Sequence, residues 1–336
     1  MKYWFLLFCN RIKGGIFAVI YQLYKHSPYH LVTFAFRHID YFHYKLLSFY
    51  EHPFQTKSKL SGIMGNECYG NLWAIRKATR ENFHSHCMIE HGLYFGENVN
   101  REECTIDCID TIYTYSEYRK NAILKEFSGK LNKEIVLVGP YIMYVNNFKS
   151  NRALRKLKNK LGRVLLVFPS HSTPGFYTDY NENEFLSEIA EVAKNYDSVL
   201  VSLFWADVNV GRDKMYLEKG YQVVCSGTRS DRWFLSRQRD LFELADFSMS
   251  NDVGTHIGYS ISMGVPHYIY NQKVVEGEAK IDYSEMNPII EKEFKEIKSA
   301  FNSRKPVITE EQKKIVDYYW GLSSVITENC RYRNSL

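Results

Sequence analysis

Four short stretches of this sequence carry residues whose types and spacing suit chemistry. In Met88-Ile89-Glu90-His91-Gly92, an apolar run ends in an acid, an imidazole and a glycine. A histidine at the end of a strand projects into a cleft, and its ordinary pKa near neutrality suits it to take a proton from a hydroxyl. His91 is therefore a candidate general base, with Glu90 as its orienter or its substitute; a packing role for a single histidine competes with that reading. The second stretch is Ser250-Asn251-Asp252-Val253-Gly254-Thr255-His256. Small polar residues feeding a helix leave backbone amides unpaired at the positive end of the helix dipole, which suits a phosphate. Gly254 allows close backbone approach, and Asp252 or Thr255 is the expected N-cap. The third and fourth stretches are Ser170-His171-Ser172-Thr173 and Ser226-Gly227-Thr228-Arg229. They offer hydroxyls, an imidazole and a guanidinium to the same kind of anion, or else they satisfy the backbone of their own loops.

These stretches need strands that end together. Val164 to Phe168 is a near-continuous apolar run, as expected of a buried parallel strand whose carboxyl end opens on a ligand. Strands follow at Ser198 to Phe204, Gln222 to Cys225, Asp246 to Met249 and His267 to Tyr270. Between them lie helical patterns at 182–195, 214–219, 233–244 and 256–263. Three successive strands therefore finish in polar loops on one edge. The first half repeats the alternation, with strands at 111–115 and 134–138 around a helix at 117–127. Gly62, Gly65 and Gly70 punctuate the run from Leu60 to Asn71, which reads as a turn or as a loop facing a ligand.

With 336 residues the chain can bury two α/β lobes of ordinary size. Its net charge of +5 is only mildly basic, and its basic residues after the N-terminus form no aromatic-interleaved groove, so nucleic acid is not an expected partner. Seven scattered cysteines without a C-x-x-C pair argue against a disulfide or zinc framework and fit a reducing cytoplasm. No Asp-x-Asp triplet, G-x-G-x-x-G, P-loop or G-x-S-x-G elbow occurs, so no metal and no cofactor is expected. Residues 1–60 are basic and aromatic but too interrupted for a membrane span, and they lack a small-residue cleavage site. They read either as helices of the first lobe or as a surface for an anionic leaflet.

The segment from Ser250 to Pro266, with its Gly264-Val265-Pro266 step into the next strand, resembles the donor-binding segment of GT-B glycosyltransferases of bacterial surface polysaccharide biosynthesis. The His91-Gly92 pair is similar to one in polyol-phosphate polymerases, where it acts on the acceptor. The resemblance implies an α/β fold of two Rossmann-like lobes around a central cleft. It divides the chain into an acceptor-side lobe (1–148), a linker (149–162), a donor lobe (163–300) and C-terminal helices crossing back (301–336). It implies metal-independent transfer of a sugar from a nucleotide-sugar donor to a glycan or lipid-linked glycan, as in lipopolysaccharide or capsule assembly. Donor contacts are expected from Ser170, His171, Ser172, Thr173, Ser226, Gly227, Thr228 and Arg229, and from Ser250, Asn251, Asp252, Gly254, Thr255 and His256. Gly65, Asn66 and Glu67 are expected on the acceptor side. The expected location is the cytoplasm, peripheral at the inner face of the membrane. A polyol-phosphate or pyruvyl transferase of the same fold is the alternative, and a non-catalytic membrane-surface protein is the second.

Overall fold

The computed structural model describes residues 37–48, 63–79, 86–173, 177–277 and 287–326. The chain divides into a unit of residues 1–39, of which only 37–39 are described, and a unit of residues 40–336 to which everything below belongs. Most of the basic aromatic stretch at 1–60 lies outside the described residues. Among those described, no helix is long and apolar enough to cross a membrane.

The elements, in chain order, are α1 (Tyr44–Ser48), α2 (Met64–Glu67), α3 (Asn71–Thr79), β1 (Cys87–Ile89), α4 (Arg101–Cys104), β2 (Thr111–Thr114), α5 (Glu117–Glu126) and β3 (Glu134–Leu137). A 3-10 turn at Tyr141–Tyr144 leads to α6 (Asn151–Leu161), β4 (Val164–Phe168), β5 (Tyr177–Tyr180), α7 (Glu182–Ala193) and β6 (Ser198–Ser202). Then come α8 (Trp205–Asn209), α9 (Asp213–Glu218), β7 (Gln222–Val224), α10 (Phe234–Leu244), β8 (Phe247–Ser250) and α11 (Thr255–Ser262). The chain closes with β9 (His267–Ile269), β10 (Val274–Gly277), α12 (Pro288–Ala300) and α13 (Glu310–Trp320).

The fold is α/β, built on two parallel sheets. The first has the order β1-β2-β3, with Met88 beside Ile112 and Ile112 beside Ile135. Ile63, Met88, Ile112 and Ile123 form its core. The free edge of β1 is closed by a side chain. Asn66 donates Nδ2–H to Cys87 O at 2.7 Å and accepts the Ile89 N–H at 2.8 Å, standing in for a neighbouring strand. Gly65 makes this approach possible, since a Cβ there would fall 1.6 Å from Ile89 O.

The second sheet has the order β7-β6-β4-β8-β9, all parallel. Numbered by appearance these strands run 3-2-1-4-5, so the chain switches direction between β4 and β8, where α/β sheets open a ligand crevice. β4 is buried at all five positions. Leu165, Val167, Phe185, Val201, Phe247 and Met249 form the core beneath it. An antiparallel pair, β5 with β10, was not expected from the sequence; its strands lie almost a hundred residues apart and neither shows apolar alternation.

Two returns of the chain matter to the site. α13 packs on both α5 and α11, and buried Trp320 presses on Gly258, where a Cβ would meet the indole Cγ at 2.2 Å. Ser116 Oγ donates to Tyr319 O at 2.8 Å. At the other end, residues 40–48 seat on the second sheet. Cys225 N–H donates to Tyr41 O at 3.1 Å, Tyr44 OH to Asp213 at 2.9 Å, and Asn209 Nδ2–H to Ser48 O at 3.0 Å. This early segment, placed by the sequence in the first lobe, thus contacts the half of the chain assigned to the donor.

Candidate active site

The carboxyl ends of β1, β2, β4 and β8 meet around one cleft of about 310 Å³. On the first side, β1 delivers Glu90 and His91. Glu90 is buried, and its carboxylate is gripped by Arg119 from α5, Nη2 to Oε1 at 2.7 Å and Nε to Oε2 at 3.1 Å, with the Thr114 hydroxyl on the same Oε2. The bidentate geometry explains why both charges tolerate burial. Arg119 also donates to Tyr94 O at 3.1 Å and Asn98 O at 2.7 Å, which fixes the loop after His91. Tyr141 OH donates to Glu90 O at 3.0 Å, and Asn71 Nδ2–H reaches both Gly65 O at 3.2 Å and His91 O at 3.3 Å. Glu90, expected as orienter or substitute base, has its carboxylate on Arg119 and Thr114.

The His91 ring lies 5.2 Å from the ring of Tyr69, which in turn lies 4.6 Å from Phe234 on α10. Tyr69 holds an uncommon positive φ of 56°, pinned by its N–H on Arg229 O at 2.5 Å. His91 Nδ1 is buried without a hydrogen-bond partner among the described residues. Desolvation, then the charges of Arg229 and His171, lower its pKa to about 4, so the ring is a neutral base over most of the accessible pH range.

On the second side, the helix α11 begins after Gly254, which is the N-cap in extended backbone, with no side-chain cap bond. This corrects the expectation of Asp252 or Thr255 as cap. The bond from Ile257 N–H to Gly254 O at 3.1 Å opens the helical ladder, and the amides ahead of it have no intrahelical acceptor. His256, on the first turn, stacks on Phe168 at 5.0 Å and 15°, and its Nε2 is buried without a partner among the described residues. Burial, then the charge of His171, lowers His256 to about 3. His171 falls to about 4 by desolvation, although the residue is exposed and lines the cleft. Behind His256 sits buried His267, whose two nitrogens lie 2.7 Å from Ser248 Oγ and 3.1 Å from Ser250 Oγ.

Of the expected donor residues, Ser170, His171, Ser226, Asp252, Gly254, Thr255 and His256 line the cleft together with His91. The rest of that set stand outside the lining, several of them as its support. Asn251 Oδ1 accepts from Ser170 N–H at 2.7 Å and Oγ–H at 2.9 Å, while its Nδ2 donates to Gln272 at 3.1 Å. Ser250 Oγ donates to Asp252 O at 2.8 Å, and Ser172 Oγ accepts the Thr178 N–H at 3.1 Å. Thr228 Oγ1 pairs with Ser230 Oγ at 3.3 Å, and Gly227 turns at φ +114° beneath Arg237 and Asp231. Thr173 and Arg229 also lie outside the lining, Arg229 close enough to act on His91 by charge. Gly65 and Asn66, expected on the acceptor side, lie against β1 and outside the cleft lining, and the side chain of Glu67 lies outside the described residues.

No family model matches the sequence, and no curated protein matches it. Among solved structures, the chain is similar to HepE of Anabaena in complex with UDP, with 11% identity, 80% of this chain and 76% of that one covered, and a TM-score of 0.36. It is similar to the wall teichoic acid polymerase TagF, with 12% identity, coverage of 76% and 69%, and a TM-score of 0.40. It is also similar to a UDP-GlcNAc 2-epimerase from Neisseria meningitidis bound to UDP-GlcNAc, with 15% identity, coverage of 73% and 65%, and a TM-score of 0.35. Overlaps this loose say nothing of the chemistry, which is read from the residues.

Sequence reasoning missed the aromatic lining, namely Tyr69, Tyr94, Tyr115, Phe168, Phe204, Phe234 and Tyr259, and the amide of Gln238. Only Tyr259 left a signal, since it follows Thr255 by four and His256 by three on one helix face. Tyr115 and Tyr259 meet at 3.2 Å between hydroxyls, joining β2's end to α11. Among the described residues, no three His, Cys, Asp or Glu side chains group as a metal cradle.

Proposed function

We propose that this protein is a glycosyltransferase that uses a nucleotide-activated sugar without a metal ion. One observation carries the reading: His91 and His256, both neutral and both holding a buried ring nitrogen without a partner among the described residues, line the same cleft at the switch point of a parallel sheet. A buried nitrogen without a partner is costly, which supports a ligand as the missing partner. His91 takes the proton of the acceptor hydroxyl as that oxygen attacks the anomeric carbon. The bond from that carbon to the donor phosphate breaks, and the charge left on the phosphate is met by the first-turn amides of α11 and by His256 as a hydrogen-bond donor. Tyr69, Tyr94 and Tyr115 give the His91 side flat aromatic faces suited to a carbohydrate acceptor, a glycan or lipid-linked glycan of the cell surface. The enzyme works on the cytoplasmic side of a membrane.

The test is a thermal-shift panel of UDP, GDP, CDP, CMP and dTDP, each with magnesium or EDTA, followed by assay of nucleotide release from the matching nucleotide sugar. One nucleotide should raise the melting temperature equally with and without magnesium. His256→Ala should lose that shift, while His91→Gln should keep it and lose transfer. Absence of any shift across the panel would refute the reading.

A further inference from the structure

Helix α12 touches both sides of the cleft. Its Glu293 accepts the Gly96 N–H at 2.8 Å and the Tyr118 hydroxyl at 2.8 Å, both in the half that carries His91. Five residues on, Lys298 forms an ion pair with Asp252 at 2.8 Å, with side-chain exposures of 19% and 16%. Asp252 lines the cleft two residues before the N-cap of α11; Lys298 lies behind it and does not line the cleft. A carboxylate in that place is itself an anion at the positive end of a helix, so uncompensated it would oppose any phosphate brought there. The cleft is nonetheless equipped for a ligand, because the Ser226 hydroxyl, 3% exposed, lines it with no partner among the described residues.

We propose that Lys298 is a positioning residue that makes the cleft receptive to anions, by holding and neutralising Asp252 at the N-terminus of α11. The proposal rests on the phosphate end of the function above, and not on the identity of the nucleotide or sugar. Because α12 is tied through Glu293 to the loop after His91, the same helix fixes the backbone beside the base and the charge balance beside the phosphate.

The experiment measures inorganic pyrophosphate binding to the full chain by calorimetry at low ionic strength, with melting temperature as the control for folding. Lys298→Met should weaken pyrophosphate by about tenfold, and the difference should shrink as salt is added. Lys298→Arg should stay within about threefold of wild type, since the charge is kept. Asp252→Asn should tighten binding, and Asp252→Asn with Lys298→Met should recover wild-type affinity to within about threefold. The proposal is overturned by an unchanged Lys298→Met, by a double variant as weak as Lys298→Met, or by wild type that does not bind pyrophosphate. If Lys298→Met fails to fold, Lys298→Arg and Asp252→Asn decide. Wild type that binds pyrophosphate but no nucleotide would refute the proposed donor while supporting the anion site, so the two failures are told apart.

Discussion

Lowering the pH from 7 to 5 should cost this fold stability in a way that can be assigned to single histidines. His256 titrates from its ordinary 6.5 down to about 3 because burial, then the charge of His171, penalises the imidazolium. As pH falls below 6.5, the unfolded chain takes up a proton that the folded ring refuses, so stability drops until the folded ring also titrates near 3. Between pH 7 and 5 the loss is the free energy of protonating a group of pKa 6.5, about 2 kcal/mol. It barely depends on where below 4 the folded value lies. His91, lowered to about 4, adds a similar amount, and His267, held well below its usual range by burial and by His256, adds another. His171 is open to cleft water and adds less. The assay is urea unfolding of wild type and His256→Gln at both pH values. Taking the difference between pH values cancels any constant packing loss, and carboxylate contributions cancel between the proteins. The variant should lose about 2 kcal/mol less than wild type on acidification. Equal losses would refute the burial of a neutral ring at this position.

Two further outcomes follow from packing. Asn66→Ala should destabilise the fold by about 2–4 kcal/mol, because it strips a buried N–H and C=O of β1 of their partner, and the acceptor KM of the folded protein should be unchanged; a raised acceptor KM at unchanged melting temperature would support an acceptor-side role. Gly258→Ala should cost about 1–3 kcal/mol by calorimetry, since its new methyl meets the fully buried Trp320.

Much of the second sheet was legible because its strands obey local rules. Val164 to Phe168 reads as a buried parallel strand and is one, and the strand, loop and helix from 246 to 263 fall within a residue or so of the expected bounds. The loops that carry Ser170, His171, Asp252 and His256 were legible for the same reason, since a parallel sheet puts its carboxyl ends together. Roles were less legible than places. Glu90 and His91 are neighbours in sequence, but successive residues at a strand's end point apart, so Glu90 turns into the core to meet Arg119 while His91 faces the cleft. The partner that settles the matter sits twenty-nine residues on, in a helix with no motif. Asn66 likewise has the composition of a ligand loop and the job of a missing strand.

Close approaches that need a missing side chain hold the cleft's walls in place. Gly65 lets its loop lie on β1, and Gly258 lets Trp320 lie on α11. Neither glycine is required by a turn, as neither has a positive φ. The α13 that carries Trp320 also packs on α5, whose Arg119 grips Glu90 beside the candidate base. The helix that carries the phosphate-side amides and the strand that carries His91 are therefore braced by one C-terminal element. A change that loosens Trp320 should disturb both sides of the cleft together, whereas one confined to the pairing of Lys298 with Asp252 should disturb the anion side alone.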